Sequence, residues 1–345
     1  MGIGSRAIWR LTLGTLIATA PGFAADPDFV GPPRPTPPGS LTAENPMRSP
    51  SPSPTAPAEL TQSGLVSQQY ALQTIRLYEA WAVETGRAEI IVAVIDSGVD
   101  SSHVDLRDRM WVNRREILNG IDDDGNGYMD DIYGWDFVEG DNTPQDEADH
   151  GTHVAGIIAA AGRYRDGVAG VANVTIMPLR VLDAQRQGVD SNVARAINYA
   201  VSMGADVINV SLGGDQPNAA LRQACASAEA AGVVVIAAAG NQGASTVLYP
   251  AAYDTVLGVA AIDETGVTPG FSNYGYGVKL VAPGVNILST ISGNQYGYRS
   301  GTSMATAYVS GVAALLKSRD RSMTAAQVRD ALTSTADDLN RQGWD

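Results

Sequence analysis

A chain of 345 residues with 44% apolar content is long enough to bury a full core. Its formal charge of −14 comes from 37 acids against 23 bases, and Lys279 and Lys317 are the only lysines, so a phosphate-binding surface and a nucleic-acid partner are excluded. The single cysteine, Cys225, excludes an internal disulfide. At the N-terminus, Arg6 and Arg10 precede the apolar run LTLGTLIATA and then small residues, with cleavage expected after Ala24 or Ala25. Residues 1–25 therefore read as an export signal, too short for a stable membrane anchor, and place the protein outside the cell or in a periplasm. Eleven prolines lie between Pro27 and Pro57 among Ser and Thr, so residues 26–64 read as a disordered linker or short propeptide.

From residue 65 to 345 the texture is that of one folded domain. EIIVAVID, VTIMPLRVL, ADVINVSL, VVVIAAAGN, VLGVAAI and VKLVAP are strand-like apolar runs. They are interleaved with helical patterns such as HGTHVAGIIAAA, SNVARAINYAVSMG and NAALRQACASAEAAG, the last holding Cys225 as a small packing residue. Continuous β-branched runs between helices predict an α/β three-layer sandwich, its mostly parallel central sheet flanked by helices. Ligands in such folds gather beyond the carboxyl ends of the strands, where the sequence delivers Asp96, Ser211 and Asn241.

The last long helical pattern, RSGTSMATAYVSGVAALL, carries Ser303 at its start, as a helix cap or as a nucleophile. A nucleophile needs a base, and there are three histidines: His103, His150 and His153. His150 and His153 lie three apart, but Gly151 follows His150, so the His-Glu-x-x-His pattern of zinc proteases is absent.

Together, VIDSGVD around Asp96, HGTHVAG from His150, AAAGN ending at Asn241 and SGTSMA around Ser303 resemble the signatures of the subtilisin-like serine proteases, the subtilases. The resemblance extends from about Gln69 to the C-terminus. It implies a subtilisin-like catalytic domain that hydrolyses polypeptides as a monomer. Asp96, His150 and Ser303 would form the triad, and the Asn241 amide would assist the oxyanion hole. It also assigns Ser211, Leu212, Gly213 and Gly214, with the region after Leu182, to the two sides of the substrate cleft.

Several positions depart from the family pattern. Arg186 stands where a glycine is common, adding charge, and Leu248 replaces a small residue at the base of the pocket for the residue before the cut. Ala307 and Tyr308 replace the Pro and His of GTSMATPHVSG, and a looser site there would favour attack by an amine, making peptide ligation an alternative. A non-catalytic binding module on the same fold should lack a triad residue or the asparagine, and all four are present. An esterase should carry Gly-x-Ser-x-Gly, whereas Ser303 lies in Gly-Thr-Ser-Met-Ala. The chain stops at STADDLNRQGWD where relatives usually continue, so C-terminal truncation is one expectation.

NGIDDDGNGYMDDIYGWDF carries a metal signal. Asp122, Asp124 and Asn126 alternate with Gly127 in the sixth place, as in a calcium loop. The twelfth place is Tyr133 instead of Glu, so Asp130 or Asp131 is expected to close the shell around a structural Ca²⁺. No Lys or Arg occurs from Glu116 through Gly162.

Overall fold

The computed structural model describes residues 18–19, 64–162 and 167–339. The predicted leader and linker, apart from Ala18, Thr19 and Gly64, lie outside the described residues, as do the last six. Seven strands form the central sheet: β1 Ile91–Asp96, β2 Trp135–Asp136, β3 Thr175–Arg180, β4 Val207–Val210, β5 Val234–Ala238, β6 Leu257–Ile262 and β7 Val278–Pro283. Their order is β7-β6-β5-β4-β1-β3-β2, with every neighbour parallel. Two short pieces, Ala18–Thr19 and Asp337–Asp338, extend the β7 edge.

The apolar runs are continuous because both faces of the sheet are covered. In β1, Val92 and Val94 enter one apolar layer while Ala93 and Ile95 enter the other, and β4 divides Val207 from Ile208 in the same way. The first layer is closed by α1 Tyr70–Thr74, α2 Leu77–Trp81, α3 His150–Ala159, α6 Thr302–Arg319 and α7 Ala325–Ser334. The second is closed by α4 Asp190–Ser202 and α5 Ala219–Ala230. Cys225 is fully buried in this second layer, and burial pushes its thiol up to about 12, so it packs as the sequence predicts.

α6 is buried on all sides from Thr302 through Ser318, which explains its lack of a polar face. Ala307 and Tyr308 both lie in its apolar surroundings. Outside the main sheet, β8 Ile287–Ile291 and β9 Gln295–Arg299 form an antiparallel hairpin that leads directly into α6. The chain passes from β1 to β3 on one side and later to β4 on the other. β1 thus marks the topological reversal, and its carboxyl end is where a cleft is expected.

Candidate active site

Asp96 ends β1 fully buried, and its Oδ1 accepts from the Ser97 amide and pairs with His150 Nδ1, both at 2.7 Å. A buried carboxylate facing Nδ1 holds the neutral ring's proton there, leaves Nε2 as the basic nitrogen and favours the imidazolium once Nε2 is protonated. His150 is the first residue of α3, and Asp149 before it is left-handed, with φ 61°. The Asp149 carboxylate accepts from the Ser292 amide at 3.2 Å, which ties this turn to the hairpin.

Ser303 is the second residue of α6, almost wholly buried, and its Oγ donates to the Ser211 carbonyl at 3.1 Å. It does not cap the helix: the cap position is Gly301, and no side chain caps it. The sequence leaves cap and nucleophile open for this residue, and the resemblance allows both roles; the cap is excluded because the helix begins one residue before Ser303. Thr302 anchors that start, its hydroxyl accepting from the Gly240 amide at 2.7 Å and its amide donating to Asn241 Oδ1 at 2.8 Å. The Asn241 carbonyl is thereby committed to α6, and its Nδ2 is the end that can donate to a ligand. A Cβ on Gly301 would stand 3.1 Å from that nitrogen, so glycine keeps the approach open.

The other two histidines hold the hairpin. His153 is fully buried, with Nε2 at 3.0 Å from the Ile287 carbonyl and 3.1 Å from that of Gly297. Burial, reinforced by the Arg299 charge, lowers it to about 3, so it is neutral at ordinary pH. His103 Nε2 lies 3.0 Å from the Gln295 carbonyl, and its Nδ1 accepts from the Asp105 amide.

The predicted cleft residues divide. Leu182 and Leu212 are fully buried in the second apolar layer, so their side chains pack and only their backbones can face a substrate. Gly214 exchanges both backbone hydrogen bonds with Tyr249 at 2.8 Å, which removes it from the bare backbone the glycines suggested. Leu248 is buried against Gly213, where an added Cβ would come within 2.9 Å of the Leu248 Cβ. Arg186 is half-buried in the turn closed by Asp183 and Gln187, with φ 59°, the left-handed region that favours glycine.

In the acidic loop, Glu116, Asp122 and Asp124 offer carboxylate oxygens within 4.8 Å of one another, a hard oxygen donor set that suits a divalent cation. Glu116, buried, is the member the sequence pattern misses; it lies before the alternating motif, and its carboxylate accepts from the Asp124 and Asp130 amides. The expected closing ligands, Asp130 and Asp131, hold bonds of their own within and beside the loop, as Glu116 and Asp122 do. Asp130 accepts from the Asn119 and Gly120 amides. Asp131 accepts from Asn113, Asn126 and, at 2.6 Å, the Tyr199 hydroxyl, and burial raises it above the ordinary carboxylate range. The Asn126 side-chain oxygen turns to the Tyr128 amide. Arg115, one residue ahead of the cation-free stretch, reaches Asp124 at 3.0 Å.

Comparison with known proteins bears on the family and the fold. The family model described as the subtilase family matches residues 87–345. A thermophilic serine proteinase of Bacillus sp. (strain AK1) is 44% identical over 276 residues, 80% of this chain and 63% of that relative's length. Thermitase of Thermoactinomyces vulgaris is 41% identical over 278 residues, 80% of this chain and 91% of its own length. The crystal structure of a cold-adapted subtilisin-like serine proteinase matches with a TM-score of 0.61 at 34% identity, over 72% of this chain and 82% of that one.

Proposed function

The chain belongs to the subtilase family and is a serine endopeptidase, and from that premise we propose that Asp96, His150, Ser303 and Asn241 carry the hydrolysis of extended polypeptides by an exported enzyme. The observation that carries the reading is the buried 2.7 Å contact of Asp96 with His150 Nδ1, on the helix that packs in one layer with α6. Ser303 Oγ attacks the scissile carbonyl carbon as His150 Nε2 takes its proton. Negative charge then develops on the former carbonyl oxygen. Asn241 Nδ2 and the positive end of α6 stabilise it, because the Thr302 amide already holds the other end of the Asn241 side chain. The C–N bond breaks as the imidazolium returns the proton to the leaving amine, and water, deprotonated by His150, cleaves the acyl-enzyme.

Substrate would lie along Leu212–Gly213 and the backbone after Leu182, with Leu248 limiting the pocket and Arg186 adding charge at the rim. Glu116, Asp122 and Asp124 would hold a structural Ca²⁺, which supplies positive charge to the loop and takes no part in the chemistry. Export rests on the leader-like residues 1–25; no helix among the described residues is long and apolar enough to cross a membrane. A serine-directed phosphonylating reagent should abolish casein hydrolysis, with the adduct mapping to Ser303. Undiminished hydrolysis by Ser303→Ala overturns the nucleophile assignment.

A further inference from the structure

Behind the Asp96–His150 pair lies a buried carboxylate that takes no part in the steps above. Asp146 Oδ1 accepts from Ser97 Oγ at 2.8 Å and from the Ala148 amide at 2.9 Å. Its Oδ2 accepts from the Thr152 amide at 2.8 Å and the Thr152 hydroxyl at 2.6 Å. As a carboxylate Asp146 only accepts, so both hydroxyls send their protons to it. Each hydroxyl oxygen in turn accepts a backbone amide, Ser97 Oγ from Gly151 at 3.0 Å and Thr152 Oγ1 from Asp100 at 2.9 Å. Four donors therefore converge on one side chain, and only an acceptor with two oxygens satisfies them.

Three of the four bonds, from Ser97 and Thr152, join two pieces of chain through Asp146, the Ala148 bond being local to its own loop, and the Gly151 and Asp100 amides join the same two pieces directly. Ser97 and Asp100 belong to the turn that follows Asp96, and Gly151 and Thr152 to the first turn of α3, which His150 opens. We propose that Asp146 is a positioning residue of the hydrolysis, clamping the start of α3 to the turn after β1 and so setting the Asp96–His150 geometry. It touches no reacting atom. The proposal rests on the reading of Asp96 and His150 as the acid–base pair, and the test keeps the two separable.

An asparagine at 146 presents an N–H₂ group to donors on one side, so Asp146→Asn should break half of the clamp while nearly conserving volume. A misplacement on the order of 1 Å costs about 100-fold in turnover, and that is the fall in kcat expected on a chromogenic peptide, with KM within about threefold. Ser97→Ala keeps the charge and removes two bonds between the pieces, the one to Asp146 and the one from the Gly151 amide, and a fall of roughly threefold to tenfold is expected. The structural readout is the His150 Nδ1 proton, measured by NMR on ¹⁵N-histidine-labelled protein in a Ser303→Ala background that prevents autolysis. His103 uses Nδ1 as an acceptor and His153 turns Nε2 to its carbonyls, so the strongly hydrogen-bonded Nδ1 proton belongs to His150. It should move upfield and broaden in both variants.

Wild-type kcat and an unmoved resonance in folded Asp146→Asn overturn the proposal. So does a fall confined to Asp146→Asn with Ser97→Ala at the wild-type level, which would assign the effect to charge. If Asp146→Asn does not fold, Ser97→Ala decides: a lower kcat with a shifted resonance supports the clamp, and no change in either overturns it. Full activity in His150→Ala would instead overturn the underlying reading of the site.

Discussion

The carboxylates around His150 and those between Glu116 and Asp131 both come from acid-rich stretches, yet they are satisfied in different ways. Around His150 the fold itself supplies most of the partners, with only Asp96 Oδ2 of the Asp96 and Asp146 oxygens left without one among the described residues. Asp96 faces an imidazole, Asp146 takes four donors, and the buried Arg180 guanidinium reaches Asp136 at 2.7 Å and Glu147 at 2.6 Å. In the acidic loop, among the described residues Asp122 accepts only from the loop's own Asn126 and Gly127 amides, and the ion pair with Asp124 comes from a largely exposed Arg115. Backbone dipoles and a solvated cation offset carboxylate repulsion far less than a buried opposite charge does. A site whose acids are answered by protein groups is preorganised, whereas the acidic loop is expected to depend on an ion from outside.

The hardest test of preorganisation is Asn241, whose amide is already fixed by Thr302. Asn241→Ala should lower kcat by about 100- to 1,000-fold with little change in KM, the scale of removing one oxyanion-hole donor. Steady-state kinetics on a chromogenic peptide check it. An unchanged kcat would remove Asn241 from the transition state and, with it, the claim that this region is built in advance.

The acidic loop should respond to its ion instead. A ligand that binds only the folded state stabilises by about 2.7 kcal/mol at a hundredfold excess over its dissociation constant, so EDTA should lower Tm by roughly 5 °C relative to millimolar calcium. Autolysis should quicken in parallel. Glu116→Ala and Asp124→Ala should reproduce the loss and no longer respond to calcium. Asp131→Asn, which disturbs the contacts with Asn113, Asn126 and Tyr199, should lose stability and still respond. Identical melting in EDTA and calcium would make the loop a solvated acidic turn.

The same contrast explains what the sequence could and could not reveal. Apolar runs with polar ends announce the parallel sheet and deliver Asp96, Ser211 and Asn241 to one edge, because strand period and burial are local properties. Ser303 and His150 are legible through short motifs at helix starts. Glu116 is not, since a ligand set assembled across a turn depends on where the chain folds back, and no fixed spacing records that. Asp146 is equally silent, because its bonds, and the role proposed for it, appear only when the turn after Asp96 meets the first turn of α3. Leu182 and Leu212 show a different limit: the sequence offers their backbones to a cleft, and only the structure shows that the second apolar layer takes their side chains.

Leu248 tests whether the pocket is as rigid as the triad. Its side chain presses on Gly213 beside the Gly214–Tyr249 backbone pair, so Leu248→Gly should open volume. An extra methylene in such a pocket is worth about 1–3 kcal/mol, and the variant should raise kcat/KM for Phe over Ala before the cut by roughly tenfold or more. Equal preference for Ala and Phe in the parent enzyme would mean that Leu248 does not bound the pocket.

The smallest effect belongs to Arg186, where backbone strain falls at a position proposed for the cleft rim. Its φ of 59° places an L-residue where the Cβ crowds the following carbonyl, at a cost of about 1–2 kcal/mol that glycine avoids. Glycine gives part of this back through the greater freedom of the unfolded chain, about 0.4–1 kcal/mol. Arg186→Gly should therefore raise Tm by roughly 1–2 °C. The turn itself should survive, because the Arg186 amide bonds the Asp183 carbonyl and the Asp183 amide bonds that of Gln187, and neither needs the side chain. If the guanidinium also sets charge at the rim, the stabilised variant should cleave acidic peptides less well and basic ones better. A lower Tm would mean that the side chain's contacts outweigh the strain. In that case the rim, like the acidic loop, is held by interactions its backbone geometry does not supply.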